Sequence, residues 1–199
     1  AVIGLIGVVT YFVQGDRYLD YAPDFKRTVT HYKFDNLLEA TAKGEDISTM
    51  ERVYRWVAGM YMSRERPLVG FGPGNFYNFY RSYTVSSFET YVSDNPEKSG
   101  IHSYYLMTLV EQGYPGLIIF FAMIFAVLLL GERVYHQTED EAEKQQVMAV
   151  TLSLIVIYAL LLINDMIETD KVGPFFFLGM AILVNMDLKN RKRLAANPD

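Results

Sequence analysis

Residues 117–130 read LIIFFAMIFAVLLL, an apolar run without a charged side chain. A helix that spans a bilayer needs about 20 predominantly apolar residues, and this run approaches that length by extending back through Pro115 toward Tyr104. Two further uncharged runs follow at 147–163 and 172–186, interrupted only by small polar or amide side chains. Buried helices of a soluble core are the alternative, but three such runs close together favour membrane spans.

The chain opens on another apolar stretch, Ala1–Val13, broken only by Thr10. This stretch is shorter than the roughly 20 residues that a span requires. Because neither an initiator Met nor a signal-peptide pattern precedes it, we expect it to be the end of a truncated helix. The mean hydropathy of +0.09 therefore averages apolar spans with a polar remainder.

The overall charge and the cysteine content exclude several classes of site. The 199-residue chain carries a net charge of −5 and no cysteine. An acidic balance argues against general nucleic-acid binding, which needs a basic surface. Without cysteine there is no disulfide, thiolate metal site or cysteine nucleophile in these residues.

Lysine and arginine near the ends of spans indicate the cytoplasmic side. A basic cluster at residues 189–193 follows the last apolar run, so we expect the C-terminus in the cytoplasm and the long segment 14–101 on the outer side. The predicted divisions are a truncated span 1–13, an outer loop domain 14–101, an outer helix leading into a span 102–131, a cytoplasmic link 132–146, a span 147–163, an outer turn 164–171, a span 172–187 and a cytoplasmic tail 188–199.

The outer loop domain has 88 residues, many of them aromatic, which is typical of a folded segment and too long for a plain connection. A short helix is expected from Asp35 to Lys43, before Gly44. The capping-box sequence Ser48-Thr49-Met50-Glu51 predicts a second helix from residue 49 to about residue 63.

Two arginines share one face near the start of this second helix. Arg52 and Arg55 are three residues apart, so their guanidinium groups point the same way. The helix dipole and the two guanidinium groups favour an anion there, and phosphate matches best. The alternative is that both arginines are solvated and pair with Glu51 and its neighbours.

A glycine-rich segment follows this helix, with the sequence PLVGFGPGNF at 67–76. It is neither a dinucleotide fingerprint nor a P-loop, because the glycine spacing and the following residues differ. Its backbone N–H groups could face a phosphate, or the segment could be only a turn. The aromatic residues after it, with Arg81 among them, could form an interfacial belt or stack on sugar rings.

His102 begins the next helical segment, which we expect to run to Gln112 before Gly113 and Pro115 interrupt it. Tyr105 lies on the same face as His102. A histidine at the outer end of a helix could act as a general base, or it could be a capping or structural residue. A histidine metal site is not expected, because no second ligand has suitable spacing beside it.

Three acidic residues lie in the predicted outer turn 164–171: Asp165, Glu168 and Asp170. They could position a hydroxyl group or balance the arginines. The alternative is an ordinary solvated loop.

In this order and between spans, the motifs resemble the O-antigen ligase and O-antigen polymerase superfamily of bacterial inner-membrane proteins. The motifs that carry the resemblance are Arg52-x-x-x-Trp56, the glycine-rich segment at 67–76, His102-Ser103-Tyr104-Tyr105-Leu106 and Glu111-Gln112-Gly113-Tyr114-Pro115-Gly116. Members often have His-Asn where this chain has His102-Ser103. The resemblance covers about 48–121, and it implies that this chain is a C-terminal part of a longer protein.

The resemblance implies an all-α, polytopic fold similar to lipid-carrier glycosyltransferases, with a large helical periplasmic loop. The implied reaction transfers a glycan from an undecaprenyl-pyrophosphate carrier to an acceptor hydroxyl, on lipid A core for a ligase. A polymerase and a protein O-oligosaccharyltransferase are the enzymatic alternatives, and a transporter or a structural membrane subunit is the non-enzymatic one. The expected partners are the lipid-linked glycan, its acceptor and membrane lipid, without nucleic acid, metal or cofactor.

Within this mechanism His102 removes the acceptor proton or orients the acceptor, and Arg52 stabilises the departing pyrophosphate. Positioning and charge neutralisation carry most of the work, because pyrophosphate is already a good leaving group. The residues expected to contact substrate are Arg55, Arg81, Gly72, Gly74, Asn75 and Tyr105.

Overall fold

A computed structural model describes the part of the chain that contains the candidate residues. The described residues are Tyr11, Gln14, Gly15, Arg17, 47–86, Ser93 and 98–196. The predicted truncated span 1–13, apart from Tyr11, and the predicted helix from Asp35 to Lys43 lie outside them.

The described residues are helical and contain no β-strand, which confirms the all-α class. The α-helices are α1 (Ile47–Glu65), α2 (Phe76–Phe79), α3 (Tyr104–Gln137), α4 (Glu141–Leu160) and α5 (Gly173–Ala196). Two 3-10 helices lie at Tyr80–Tyr83 and Met166–Glu168. Helix α1 begins before the predicted residue 49 and ends slightly beyond the predicted end.

Helix α3 is broken at Gly113, as the sequence predicts. Gly113 has φ 70° and ψ −172°, a backbone conformation that interrupts the helical hydrogen bonds and that favours glycine. Pro115 then lies in the first turn of the second segment, where its missing N–H is tolerated. Between Gln112 and Glu132 this second segment has no charged residue.

Helices α3, α4 and α5 pack against one another around a shared apolar core. They extend beyond the apolar runs into the predicted link and tail. Charged residues at their ends stabilise these extensions, either by pairing across helices or by capping. Arg133 Nη2 of α3 donates to Asp187 Oδ1 of α5 at 2.9 Å, and Asp140 caps α4 by accepting the Glu143 N–H at 2.9 Å. The link is thereby reduced to residues 138–140.

A second apolar cluster joins α1 to the first segment of α3 and to the segment between them. Its fully enclosed members include Ala58, Met62, Tyr80, Ile101 and Val110. Phe76 stacks on Tyr80 with 5.0 Å between ring centroids, so part of the aromatic stretch is interior packing.

Among the described helices, α3 alone is both long and apolar enough to cross a membrane. The outward faces of α3, α4 and α5 nevertheless carry large exposed apolar side chains, for example Ile119, Val156 and Phe175. The predicted span 147–163 overlaps α4 but runs three residues past its end, and the predicted span 172–187 begins one residue before α5. Both spans stay predictions.

Candidate functional site

His102 is held at the entrance of α3 by the backbone around it. Ser103 is the N-cap residue, and its side chain accepts the Leu106 N–H at 3.5 Å. The Tyr104 N–H lies 3.0 Å from the Leu161 carbonyl oxygen and 3.1 Å from that of Asn164. These contacts tie the start of α3 to the turn after α4, and His102 adopts a φ of 57°. That value is uncommon for residues other than glycine and typical of functional sites.

Arg55 of α1 contacts His102 directly. Its Nη1 lies 3.0 Å from His102 Nε2 and donates to the Gly100 carbonyl oxygen at 3.1 Å. Arg55 is only 5% exposed, and its Nη2 lies 3.7 Å from Glu51 Oε2. The Glu51 carboxylate in turn accepts the Ser93 hydroxyl at 2.6 Å, so the guanidinium group is held from two sides.

This contact fixes the protonation of the imidazole ring. A guanidinium group can donate hydrogen bonds but cannot accept them, so His102 Nε2 must present its lone pair to Arg55. In the neutral ring the proton then lies on Nδ1. Nδ1 faces Asp165 Oδ1 at 3.9 Å, an electrostatic contact longer than a hydrogen bond.

The surroundings keep His102 neutral. Burial is the largest effect and lowers the pKa of His102 below its ordinary value of 6.5. The positive charges of Arg55 and Arg52 lower this pKa as well, whereas Asp165 and Glu51 oppose the shift. Desolvation and nearby cations both disfavour the imidazolium form, so the ring holds a basic lone pair at neutral pH.

Arg52 and Arg55 leave donors unused beside this ring. Arg52 is partly exposed and close enough to His102 to affect its pKa. Among the described residues, no hydrogen bond or ion pair is found for its side chain. The buried Nε of Arg55 likewise has no hydrogen-bond partner among them. A buried polar group without a partner is costly, so an anion that reached Arg55 Nε would relieve this cost. The partly exposed Arg52 would gain a charged partner from the same anion.

The turn between α4 and α5 brings acidic side chains to the same place. Asp165 packs against Gly100 so closely that a Cβ on Gly100 would overlap its carboxylate. Burial, together with Glu111 and Asp165, raises the pKa of Glu168. The two carboxylates therefore lie at the site, and Asp165 faces the protonated nitrogen of His102. No group of three or more His, Asp or Glu side chains suited to a metal ion occurs in the described ranges.

The glycine-rich segment 67–76 is locked onto the break in α3. In an uninterrupted helix, the carbonyls of Val110 and Glu111 would accept the N–H groups of residues 114 and 115, and Pro115 has none. The N–H groups of Phe71 and Gly72 bond these carbonyls instead, at 3.0 and 2.8 Å. The Tyr114 N–H turns to the Pro67 carbonyl oxygen at 2.7 Å.

The buried carboxylate of Glu111 completes this lock. Its Oε2 accepts the Gly74 N–H at 2.8 Å, and its Oε1 accepts the Phe76 N–H at 3.0 Å. Close packing requires glycine on both sides, because a Cβ on Gly70 would overlap the Glu111 backbone and one on Gly113 would lie 2.6 Å from the Leu68 carbonyl carbon. The segment and the helix break therefore form one rigid unit.

Comparison with known proteins identifies the family of this chain. The O-antigen ligase family model matches residues 1–121, which is more than half of the chain. The chain belongs to the O-antigen ligase family. The matched region includes α1, the glycine-rich segment and His102, and it ends before Asp165. Searches of curated proteins and of solved structures gave no match.

Membership of the O-antigen ligase family identifies the kind of activity. The family implies glycosyl transfer of the O-antigen ligase or polymerase type, by a membrane enzyme of the bacterial inner membrane. It also implies a lipid-linked glycan and an acceptor in the membrane. The family match is consistent with the resemblance found in the sequence, and it leaves the sugar and the acceptor open.

Three of the other residues predicted to contact substrate in this O-antigen ligase family member make hydrogen bonds within the protein. The Gly72 and Gly74 N–H groups are engaged by Glu111, so they are not free to cradle a phosphate in this state. Asn75 Oδ1 accepts from Asn78 Nδ2 at 3.0 Å. Arg81 is exposed in the 3-10 helix Tyr80–Tyr83.

Tyr105 packs into the helical bundle. Its hydroxyl donates to the Tyr158 carbonyl oxygen at 3.0 Å, and its ring stacks on Phe121 at 5.2 Å. These contacts give Tyr105 a role in joining α3 to α4. Its predicted contact with substrate stays a prediction.

Proposed function

We propose that this chain transfers a glycan from an undecaprenyl-pyrophosphate carrier to an acceptor hydroxyl, with the lipid A core as acceptor. The observation that carries the proposal is the contact between Arg55 and the neutral His102, with the unused donors of Arg52 and Arg55 beside it. A basic nitrogen next to two cations suits a reaction in which a hydroxyl loses a proton while an anion leaves.

The bond changes balance without a further reactant. The acceptor oxygen forms a bond to the anomeric carbon, and the bond from that carbon to the pyrophosphate oxygen breaks. The acceptor proton passes to His102 Nε2, and the electron pair of the broken bond leaves with the pyrophosphate. Arg52 and Arg55 stabilise the charge that develops on it, which is the role that fixed cations play at a leaving group.

Arg55 must move for this step, because in the structure it occupies the lone pair of His102 Nε2. A bound pyrophosphate offers Arg55 a stronger, charge-assisted partner than an imidazole. Substrate binding would then free Nε2 for the acceptor hydroxyl, while Asp165 stabilises the positive charge that His102 gains. The 29% exposure of the His102 side chain leaves room for the approach.

The proposed site is periplasmic, in a multi-pass membrane protein. His102 and the 164–171 turn lie at one end of the α3–α5 bundle, and the basic residues of α5 lie at the other, where Arg193 Nη2 donates to the Gln137 carbonyl oxygen at 2.9 Å. The preference of basic residues for the cytoplasmic side supports an outward-facing site.

The test uses the complete protein in membranes, with lipid-linked glycan as donor. His102→Ala and Arg52→Ala should each reduce transfer by about 10²-fold or more, the range for loss of an acid–base or charge-stabilising group, while membrane insertion is retained. Arg64→Ala is the matched control, because Arg64 is exposed at the end of the same helix and contacts Tyr61. Wild-type-like transfer by both site variants would overturn the proposal.

Offering lipid A core, growing glycan and protein acceptors separately distinguishes a ligase from a polymerase and from a protein glycosyltransferase.

A further inference from the structure

The tip of the glycine-rich segment presents two adjacent aliphatic side chains to the outside. Leu68 is 71% exposed and Val69 is 76% exposed, more than any other large hydrophobic residue that the structure describes. Single exposed apolar residues are common at protein surfaces. Here two of them are consecutive and sit on a segment that is held rigidly at both ends, so their exposure is built into the fold.

The tip lies at the level where the apolar part of α3 begins. The Pro67 carbonyl oxygen bonds the Tyr114 N–H at 2.7 Å, and the Leu68 backbone packs directly on Gly113. From Gly113 onward α3 has no charged residue until Glu132. Because this is the helix that meets the length and hydropathy of a span, we expect the membrane surface at the first turns of its uncharged segment.

The side chains around the tip suit a lipid–water boundary. Tyr114 is 51% exposed beside Pro67, and Ile118, one helical turn further, is 64% exposed. Arg66, at the base of the tip, lies 4.6 Å from the Phe71 ring with half of its side chain exposed. An exposed tyrosine, a basic side chain and aliphatic groups close to one another are typical of an interfacial anchor.

We propose that Leu68 and Val69 insert into the outer surface of the bilayer and anchor the glycine-rich segment to the membrane. The partner is a phospholipid surface, continuous with the lipid that surrounds α3. Since Glu111 connects this segment to α3, and His102 lies just before the start of the same helix, the anchor would hold the site at a fixed depth. The inference is independent of which acceptor the enzyme uses and of whether His102 acts as a base.

The test measures the depth of Val69 in a bilayer. The 199-residue chain has no cysteine, so Val69→Cys gives this region one attachment point for an environment-sensitive NBD fluorophore. The complete protein, with cysteines elsewhere replaced if there are any, is reconstituted in vesicles of phosphatidylcholine and phosphatidylglycerol. Ile119→Cys supplies the reference for lipid contact, because Ile119 is 69% exposed on α3. Glu139→Cys supplies the reference for water, because the Glu139 side chain is 84% exposed in the α3–α4 link.

The expected result is a blue-shifted emission at Val69 and quenching by phosphatidylcholine that carries a shallow nitroxide, to an extent within twofold of Ile119. Emission and quenching like those of Glu139 would overturn the proposal. A blue shift without lipid quenching would also overturn it, because the tip would then be covered by protein. Leu68→Cys repeats the measurement at a second position and guards against a local effect of the label.

Discussion

Replacing Glu111 by glutamine tests whether its carboxylate holds the glycine-rich segment in place. The carboxylate supplies one acceptor oxygen to the Gly74 N–H and the other to the Phe76 N–H, whereas glutamine has only one acceptor oxygen. One of the two N–H groups therefore loses its partner. A hydrogen bond to a charged group contributes about 1.5–3 kcal/mol, and each 1.4 kcal/mol is about tenfold in an equilibrium constant. We expect the segment to open about 10- to 100-fold more often in Glu111→Gln.

Amide hydrogen exchange measures this opening at the affected groups. Peptides that cover residues 67–76 should exchange about 10- to 100-fold faster in Glu111→Gln, with little change in α4 and α5. Gln112→Ala is the control, because Gln112 is the exposed neighbour of Glu111. Exchange at Gly74 and Phe76 that matches the wild type would refute the view that Glu111 locks the segment.

Three further predictions concern the charge balance at His102 and the break in α3. Because burial lowers the pKa of His102 below 6.5, its neutral form persists to lower pH, and the acid limb of kcat/KM should have its midpoint below pH 6.5. Asp165 raises the pKa of His102 and Arg55 lowers it, so Asp165→Asn should lower this pKa further and Arg55→Gln should raise it. NMR titration of the imidazole ring measures both shifts, and shifts in the same direction would contradict the assignment. Gly113→Ala should lower the unfolding temperature more than Gly74→Ala, because both have positive φ but a Cβ meets the facing backbone at 2.6 Å only at Gly113. Gly113 also has ψ −172°, in a region of backbone conformation that is essentially restricted to glycine. Equal unfolding temperatures would show that this strain and the close contact relax without cost.

The sequence predicts the parts of the site that depend on local spacing. A three-residue separation places Arg52 and Arg55 near each other on α1, and the Gly113–Pro115 pair predicts the helix break. Neither feature predicts that Arg55 meets His102, which is 47 residues away. That contact depends on how the intervening segment folds back onto α1, and periodicity carries no information about such a path.

Two residues gain importance only in the structure. Asp165 is predicted to lie on the outer side with two other acidic residues, and only the structure shows that it packs against Gly100 and faces His102. Glu111 belongs to one of the sequence motifs, but nothing in the local pattern predicts that its carboxylate accepts the N–H groups of Gly74 and Phe76. The glycines of the 67–76 segment are explained by the backbone itself. Gly70, Gly72 and Gly74 have φ values of 63°, 91° and 74°, which favour glycine without any need for a bound phosphate.

The hydrogen bonds from the glycine-rich segment that replace helical ones before Pro115 also have a consequence for biosynthesis. The donors on Phe71 and Gly72 are made about 40 residues before their acceptors on Val110 and Glu111, and chains grow from the N-terminus. The glycine-rich segment therefore cannot dock until the start of the apolar helix has left the ribosome. Until that point the segment lacks the carbonyl and carboxylate partners that hold it, whether or not the apolar run that follows has entered a bilayer.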